Sequence, residues 1–388
     1  MQAVEIRPDI YWVGAVDWSL RNFHGYQTGR GATYNAYLII DEHITLIDTV
    51  KAGFETELLA RISSVIDPAK IDYIVSSHVE PDHSGGLPFM HQYAPNAKII
   101  TSLPNGLKGL TARYGELPYQ GVKAGETLSL GKRTLNFVTT PMLHWPDSMV
   151  SYCPEEKILF SNDAFGQHFA SSGRFDDEND LPTLMWEAQK YYANILFPYG
   201  KQAQTALQAL GGLDISLLAT GHGILWRSHI ADIVAAYKKW SAGEVLPKAV
   251  VVFDSMWHST EMMAKAVVEG FRARGTQVTY YDLKVNTLSD IVTEILTSKY
   301  IAVGSPTLNN QMMPTVAGFM NYLKGLQPRG RQGFAFGSYG WSGQSIGLVE
   351  DALKEAGVEI IADKIRQLNV PTAAQLTELT DKVKNLTL

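Results

Sequence analysis

The run Ser77-His78-Val79-Glu80-Pro81-Asp82-His83-Ser84-Gly85-Gly86 places four potential metal ligands within six residues, directly after an apolar stretch at 71–75. Two imidazoles and two carboxylates this close repel one another and lose hydration unless a cation neutralises them. Glu80 decides the chemistry. A histidine at that position would favour zinc, whereas an oxygen ligand in an imidazole site leans toward iron or manganese. One loop cannot wrap two cations, and three later residues complete a larger set: His144 after a β run at 134–140, Asp163 after one at 158–160, and His222 in Thr220-Gly221-His222-Gly223. Taken singly, His144 or His222 reads as an ordinary hydrogen-bonded histidine, and a polar cluster alone reads as a solvated loop. Together, each at the end of a β run, they describe converging loops at one edge of a sheet structure. Divided evenly, each of two metals receives two histidines and one carboxylate, with Asp163 able to serve both and a position left open on each. Two histidines plus a carboxylate with vacant positions is the ligand set of non-haem iron that handles oxygen species. His43, His91 and His229 have no such context and read as surface or structural residues.

A second chemistry lies further along. Asp254-Ser255-Met256-Trp257-His258-Ser259-Thr260-Glu261 follows a β run and opens a helix. Such a loop offers hydroxyls and backbone N–H groups to a phosphate monoester, the group in which FMN ends. Gly304-Ser305-Pro306-Thr307-Leu308-Asn309-Asn310 and Gly337-Ser338-Tyr339-Gly340-Trp341-Ser342-Gly343 follow two later β runs. Each alone is ordinary turn chemistry. In a doubly wound sheet, however, loops beyond the carboxyl ends of strands share one ligand pocket, and Tyr339 or Trp341 can stack on a flavin ring. No GxGxxG follows the first strand of this region, so a nicotinamide site of the Rossmann kind is unsupported.

The elements that must position these residues fall into two rhythms, and 388 residues exceed one ordinary core. Residues 1–246 alternate short β runs (10–13, 37–40, 44–47, 73–75, 97–101, 134–139, 149–152, 158–160, 217–219) with helical patterns at 54–66, 183–195, 202–210 and 230–240. This predicts an α/β/β/α sandwich. Ser241-Ala-Gly-Glu-Val-Leu-Pro247 reads as a linker. Residues 247–388 then alternate strand (248–253, 277–282, 300–303, 332–336, 359–363) and helix (261–274, 291–298, 316–323, 346–356), as in a doubly wound parallel sheet of flavodoxin size. A net charge of −6 argues against nucleic acid as a main partner. No apolar run is long enough to cross a bilayer and the first residues lack a signal pattern, so a cytoplasmic location without membrane attachment is expected. Cys153, the single cysteine, rules out an intrachain disulfide, a CxxC pair and a thiolate cluster, and reads as a small buried hydrophobe.

The first half resembles the metallo-β-lactamase fold, whose hydrolytic members carry HxHxDH. The departure at Glu80, with Asp163 and His222, is instead the pattern of flavodiiron proteins, and the Met256-Trp257-His258-Ser259-Thr260 run is similar to theirs. Generic flavodoxins have glycine where His258 stands. The resemblance covers nearly the whole chain. It implies two non-haem irons, one held by His78, Glu80 and His144, the other by Asp82, His83 and His222, with Asp163 bridging, and an FMN in the second half. The run from Phe23 to Gly31 resembles the family's segment near the diiron pocket. His24 and Tyr26 are therefore candidate hydrogen-bond donors to a bound diatomic, and His168 a candidate support for the ligands. The implied activity is reduction of O2 to water, of NO to N2O, or of both, detoxifying gas in an anaerobe. Electrons would arrive through FMN from a separate donor, rubredoxin or a reduced deazaflavin, since no CxxC module is fused before Leu388. The resemblance also implies a head-to-tail homodimer, or a dimer of such dimers, that sets the flavin of one subunit beside the irons of the other. The competing readings are a zinc hydrolase with a flavodoxin appendage, which Glu80 and the ligand number oppose, and a flavodoxin-type electron carrier, which the full ligand set opposes.

Overall fold

The computed structural model describes residues 1–386 and divides by internal contacts into two units: residues 1–191 with 201–238, and residues 192–200 with 239–388, whose last two residues lie outside the described part.

The first unit is built on two sheets. One has seven strands in the order Val4–Arg7, Ile10–Trp12, Tyr37–Ile39, Thr45–Ile47, Tyr73–Ser76, Lys98–Ser102 and Tyr119–Val122. The other has five, Thr127–Ser129, Thr134–Thr139, Met149–Cys153, Ile158–Asn162 and Leu217–Thr220. Trp12, Tyr37, Ile47, Val75 and Ile100 of the first sheet meet Phe137, Met149, Phe160 and Leu217 of the second in one buried core. The strands alternate, so Leu38, Leu46, Ile74 and Ile99 point the other way and pack on Leu58, Ile62, Met90 and Leu110 of the covering helices. Truncating a side chain such as Phe137 would cost about 3–5 kcal/mol, since facing strands cannot close over the gap. This is the expected αββα sandwich, and Cys153 is buried in its core.

Local departures from the sequence reading have identifiable causes. The ligand-rich run was expected as loop throughout, but Pro81–Ser84 forms one helical turn, which Pro81 starts because its missing N–H is not needed there. Helices Leu87–Tyr93 and Asn105–Tyr114 were obscured by an internal proline and by Gly106 and Gly109. Gly109 is required by packing, since a Cβ there would lie 2.9 Å from the Val79 side chain. The helix expected over 183–195 is α-helical only for Leu181–Tyr191 and continues as a wider π turn over Tyr192–Leu196. The linker shrinks to residues 243–245, because helix Ile230–Ala242 and strand Leu246–Phe253 extend into it from both sides.

The second unit holds one parallel sheet in the order Gln277–Asp282, Leu246–Phe253, Ser298–Gly304, Gln332–Tyr339, with Glu359–Ile360 and Ile365–Leu368 both pairing to the last of these. In chain order this is 2-1-3-4-5, the flavodoxin-like winding. Strand Leu246–Phe253 is buried from Ala249 on and Ser298–Gly304 over nearly its whole length, which is why they read as continuous apolar runs rather than alternating ones. Phe253 pairs with Gly304 and Gly304 with Phe336, and the last of these strands runs three residues further, to Tyr339, before its loop begins. Ile365–Leu368 and helix Ala373–Lys384 were missed, although Thr372 and Gln375 form a capping box that announces that helix.

Candidate functional site

Four chain segments deliver the polar cluster of the first unit. Strand Tyr73–Ser76 leads into His78, Glu80, Asp82 and His83; Ile158–Asn162 leads into Asp163; Leu217–Thr220 leads into His222; and the turn after Thr134–Thr139 carries His144. All but His144 are buried as whole residues, and the His144 side chain is only 13% exposed. Asn162 has φ of 53°, a left-handed conformation that turns the chain at the strand end and aims Asp163 inward. Gly221 is needed for closeness: a Cβ there would stand 2.8 Å from the His83 ring.

The cluster divides about Asp163. Its Oδ2 faces His144 Nε2 at 3.5 Å and His78 Nε2 at 3.8 Å, and both of these approach Glu80 Oε2, at 3.2 and 3.3 Å. Its Oδ1 faces His83 Nε2 at 3.0 Å and His222 Nε2 at 3.4 Å, while Asp82 Oδ2 lies 3.3 Å from His222 Nε2. His78, His144 and Asp163 thus form one group able to hold a cation, and Asp82, His83 and His222 a second. Asp82 Oδ1 and Asp163 Oδ2 are buried with no hydrogen-bond partner, a costly arrangement in a protein but an appropriate one for oxygens that meet metal ions. The donor set fits two cations that share Asp163.

The outward nitrogens are fixed as well. His78 Nδ1 lies 2.8 Å from Asp147 Oδ2, which also accepts the Val79 N–H at 2.6 Å, and His222 Nδ1 donates to the Thr33 carbonyl at 2.7 Å. These contacts hold each Nε2 toward the centre. Burial opposes charge on His78, yet Asp147 and Glu80 push it up to about 10. Burial would raise Glu80, but the His144 and His78 rings hold it down to about 2. Burial likewise opposes the charges on Asp163 and His222, but the His83 charge and then the hydrogen bond to His222 hold Asp163 well below its usual range, and hydrogen bonds to Asp163 and Asp82 hold His222 well above its own. In the metal-free protein, protons on His78, His83 and His222 supply positive charge that cations otherwise bring.

Sequence reasoning missed three contributors. Asp147 lies three residues after His144 but has no motif of its own. Tyr191 donates from its hydroxyl to Asp163 Oδ1 at 2.9 Å, and Asp48, with φ of 55°, accepts the Ser77 N–H at 2.7 Å and steadies the start of the ligand run. Neither Tyr191 nor Asp48 belongs to a polar cluster in sequence, so only tertiary structure exposes them. The three candidate accessory residues have different placements. His24 is exposed, with Nε2 3.7 Å from Glu80 Oε1 at the mouth of the cluster. Tyr26 is buried and stacks on His168 at 5.0 Å. His168 packs edge-on against His222 at 5.2 Å and is pushed down to about 3 by burial and then by the His222 charge, so it is a neutral ring.

In the second unit, a cavity of about 240 Å³ lies beyond the strand ends. It is lined by Ser255, Met256, Trp257 and Ser259, by Pro306 and Thr307, and by Ser338, Tyr339 and Gly340. Asn369 and Val370, from the segment that sequence reading missed, close it. Of the other candidates, Thr260 and Ser305 stand behind the wall: Thr260 Oγ1 lies 2.8 Å from Ser338 Oγ, and the Met313 N–H donates to Ser305 Oγ at 3.0 Å. His258, Leu308, Asn309, Asn310, Trp341 and Gly343 do not line the cavity. Ser255 Oγ is buried and unpartnered beside the N-terminus of helix Ser259–Ala273, an arrangement that fits a phosphate oxygen. His258 adopts φ of 67°, which explains why glycine is the general solution at this position.

These geometries match known proteins. A family model described as ODP family beta lactamase matches residues 32–223, and the flavodoxin model matches residues 251–384. The chain is 45% identical to a nitric oxide reductase of Moorella thermoacetica over 93% of its own length and 92% of that protein's. The solved rubredoxin oxygen:oxidoreductase of Desulfovibrio gigas superposes with a TM-score of 0.96 at 44% identity, covering 99% of this chain and 98% of that one. The flavodiiron protein of Giardia intestinalis gives a TM-score of 0.96 at 37% identity, covering 100% and 96%. With the lactamase-like and flavodoxin-like halves, the divided carboxylate cage and relatives of this identity over the full length, the chain belongs to the flavodiiron protein family.

Proposed function

We propose that this protein is an oxidoreductase that reduces O2 to water, NO to N2O, or both, at a non-haem diiron site supplied with electrons through FMN. The observation that carries the reading is the division of Asp163, one oxygen to each group of ligands. His78, Glu80 and His144 would hold one iron, Asp82, His83 and His222 the other, with Asp163 between them. The FMN phosphate would take Ser255 and the helix that starts at Ser259, with the ring near Tyr339 and Trp257. When bound, the irons and the flavin supply gas binding and electron transfer, and the chain's residues do the rest. The carboxylates give the irons oxygen ligands suited to a higher charge, Asp147 and the Thr33 carbonyl fix the rings, and His24 stands at the mouth where a proton donor is needed. Relatives named rubredoxin-oxygen oxidoreductase and nitric oxide reductase support these substrates and a rubredoxin-type donor over a reduced deazaflavin. We assign the diiron half to residues 1–246 and the FMN half to 247–388, and we place the protein in the cytoplasm. Among the described residues, no helix is long and apolar enough to cross a membrane.

Metal and flavin analysis with anaerobic turnover on each gas tests the reading; two zinc ions and no iron, or iron without gas reduction, would refute it. Asp163→Ala should lose the iron and the activity while keeping the flavin absorbance. We further propose a head-to-tail homodimer, alone or paired, that brings each flavin to the partner's irons. Mixing an Asp163→Ala variant with a flavin-dead one should restore activity on subunit exchange, and no recovery would rule out the cross-subunit path.

A further inference from the structure

None of the described residues that line the flavin cavity is charged, so a phosphate there depends on dipoles in the wall and on charges behind it. One of those charges is unfavourable. Asp254 is buried directly before Ser255, and its Oδ1 accepts the Ser255 N–H at 2.6 Å. That bond takes one N–H from the set a phosphate could use. It also sets a buried carboxylate beside the residue whose unpartnered Oγ fits a phosphate oxygen. A second carboxylate, Asp282, stands on the neighbouring strand opposite Phe253.

Lys284 answers both. Asp282 Oδ1 accepts the Lys284 N–H at 2.9 Å, and the Leu283 N–H donates to the Phe253 carbonyl at 2.9 Å, which holds this turn against the strand end. The Lys284 ammonium lies 3.7 Å from Asp254 Oδ1 and 3.8 Å from Asp282 Oδ2, and it donates to the Ser255 carbonyl at 2.9 Å. The other charges of the loop are engaged with one another: Glu261 lies 2.7 Å from His258 Nδ1 and 2.6 Å from Lys265 Nζ. Thr315 Oγ1 donates to Asp254 Oδ2, so Asp254 is held from both sides.

We propose that Lys284 sets the preference of this site for a phosphorylated flavin, by offsetting the Asp254 charge and fixing the Ser255 carbonyl. The inference rests on the FMN reading given above, with the phosphate at Ser255. A phosphate monoester carries about −1.5 to −2 charge at pH 7 and is repelled by a carboxylate beside it. Without Lys284, two carboxylates would stand uncompensated behind the wall. With it, one ammonium is shared between them and the Ser255 carbonyl is occupied. Riboflavin, which has the same ring system and no phosphate, feels none of this. Lys284 is a positioning residue, since it acts on the phosphate through Asp254 and Ser255.

Binding of FMN and of riboflavin to flavin-stripped, full-length protein tests this without turnover, followed by quenching of flavin fluorescence. Lys284→Met should weaken FMN about tenfold, or about 1.4 kcal/mol, and riboflavin less than about twofold. The FMN loss should shrink at high salt, where the charges are screened. Lys284→Arg should keep FMN affinity near wild type. Asp254→Asn, whose side-chain carbonyl still accepts the Ser255 N–H, should restore FMN binding in the Lys284→Met background. Unchanged FMN affinity in Lys284→Met, or equal losses for FMN and riboflavin, would overturn the proposal. A folded double variant that fails to recover FMN would do the same. A wild-type protein that binds riboflavin as tightly as FMN would instead refute the phosphate reading at Ser255.

Discussion

Asp147 is the most exposed test of how the cage is held. Its Oδ2 accepts from His78 Nδ1 at 2.8 Å and from the Val79 N–H at 2.6 Å, and its own carbonyl accepts from Ser102 Oγ at 2.6 Å. Asp147→Ala removes both side-chain bonds and leaves two buried donors unpaired. Hydrogen bonds to a charged group contribute roughly 1.5–3 kcal/mol each, and one is lost per donor. Because the two share an acceptor they are not additive, and a net loss of about 3 kcal/mol in the metal-free protein is expected. The same change frees the His78 ring to rotate, and loss of such a partner weakens metal binding about 10–100-fold. Asp147→Asn separates orientation from charge: its carbonyl oxygen can accept both donors, so iron affinity should stay within about threefold of wild type. Urea unfolding of metal-free protein measures the first effect, and competition for iron against a chelator measures the second. A folded Asp147→Ala variant with unchanged iron affinity would show that His78 does not depend on this carboxylate. Equal weakening in the Asn variant would show that its charge, rather than ring orientation, matters.

The metal-free fold should also report the protons that stand in for cations. His78 is raised from 6.5 to about 10, so its contribution is complete below about pH 6.5 and is lost as pH climbs toward 10. Glu80 is lowered from 4.5 to about 2, so its contribution is complete above about pH 4.5 and is lost as pH falls toward 2. Urea midpoints of metal-free protein should therefore peak between those limits, and a midpoint still rising at pH 8–9 would contradict the assignment. Tyr191→Phe removes the 2.9 Å bond to Asp163 and should cost about 1 kcal/mol with iron retained; loss of one iron on metal analysis would mean that Tyr191 holds the bridge in place. His258→Gly relieves a left-handed residue, worth about 1–2 kcal/mol, against an exposed Glu261 pair worth less. A higher denaturation midpoint is expected, and a lower one would show that the His258 side chain does structural work.

The fold was legible because its signals are periodic. Continuous apolar runs marked the parallel strands of the second unit, and polar residues at strand ends marked the edge where loops converge. What escaped was either short or carried by single residues. Helix Asn105–Tyr114 hides behind two glycines that close packing demands, and Ile365–Leu368 is a four-residue strand whose residues alternate between half-buried and exposed, with no apolar run to mark it. Four of the seven candidate ligands, His78, Glu80, Asp82 and His83, stand out because they cluster in sequence, and His144, Asp163 and His222 because each follows a β run. Asp147, Tyr191 and Asp48 could not be read, since each acts through hydrogen bonds to residues distant in the chain and leaves no local pattern. The flavin loops show the same limit from the other side. Sequence grouped the three loops, but only the folded chain shows that Tyr339 lines the cavity and that Trp341, 79% exposed, does not.

The charge of the cage ties Glu80 to the chemistry more closely than its ligand type alone. With neutral histidines, Glu80, Asp82 and Asp163 place three negative charges among the ligand atoms, where a histidine at position 80 would leave two. Two divalent ions would then leave one net positive charge, against two with histidine at position 80, and oxidation would add to it in a buried site. One unit charge at about 4 Å is worth roughly 4 kcal/mol at an effective dielectric of about 20, which sets the scale by which Glu80 favours the more highly charged state. Zinc cannot use that preference, because its charge does not change. A third carboxylate is therefore of little value to a hydrolase and of direct value to a centre that must give up electrons. The Tyr191 hydroxyl donates to Asp163 Oδ1 and tempers the same negative charge from outside the cluster.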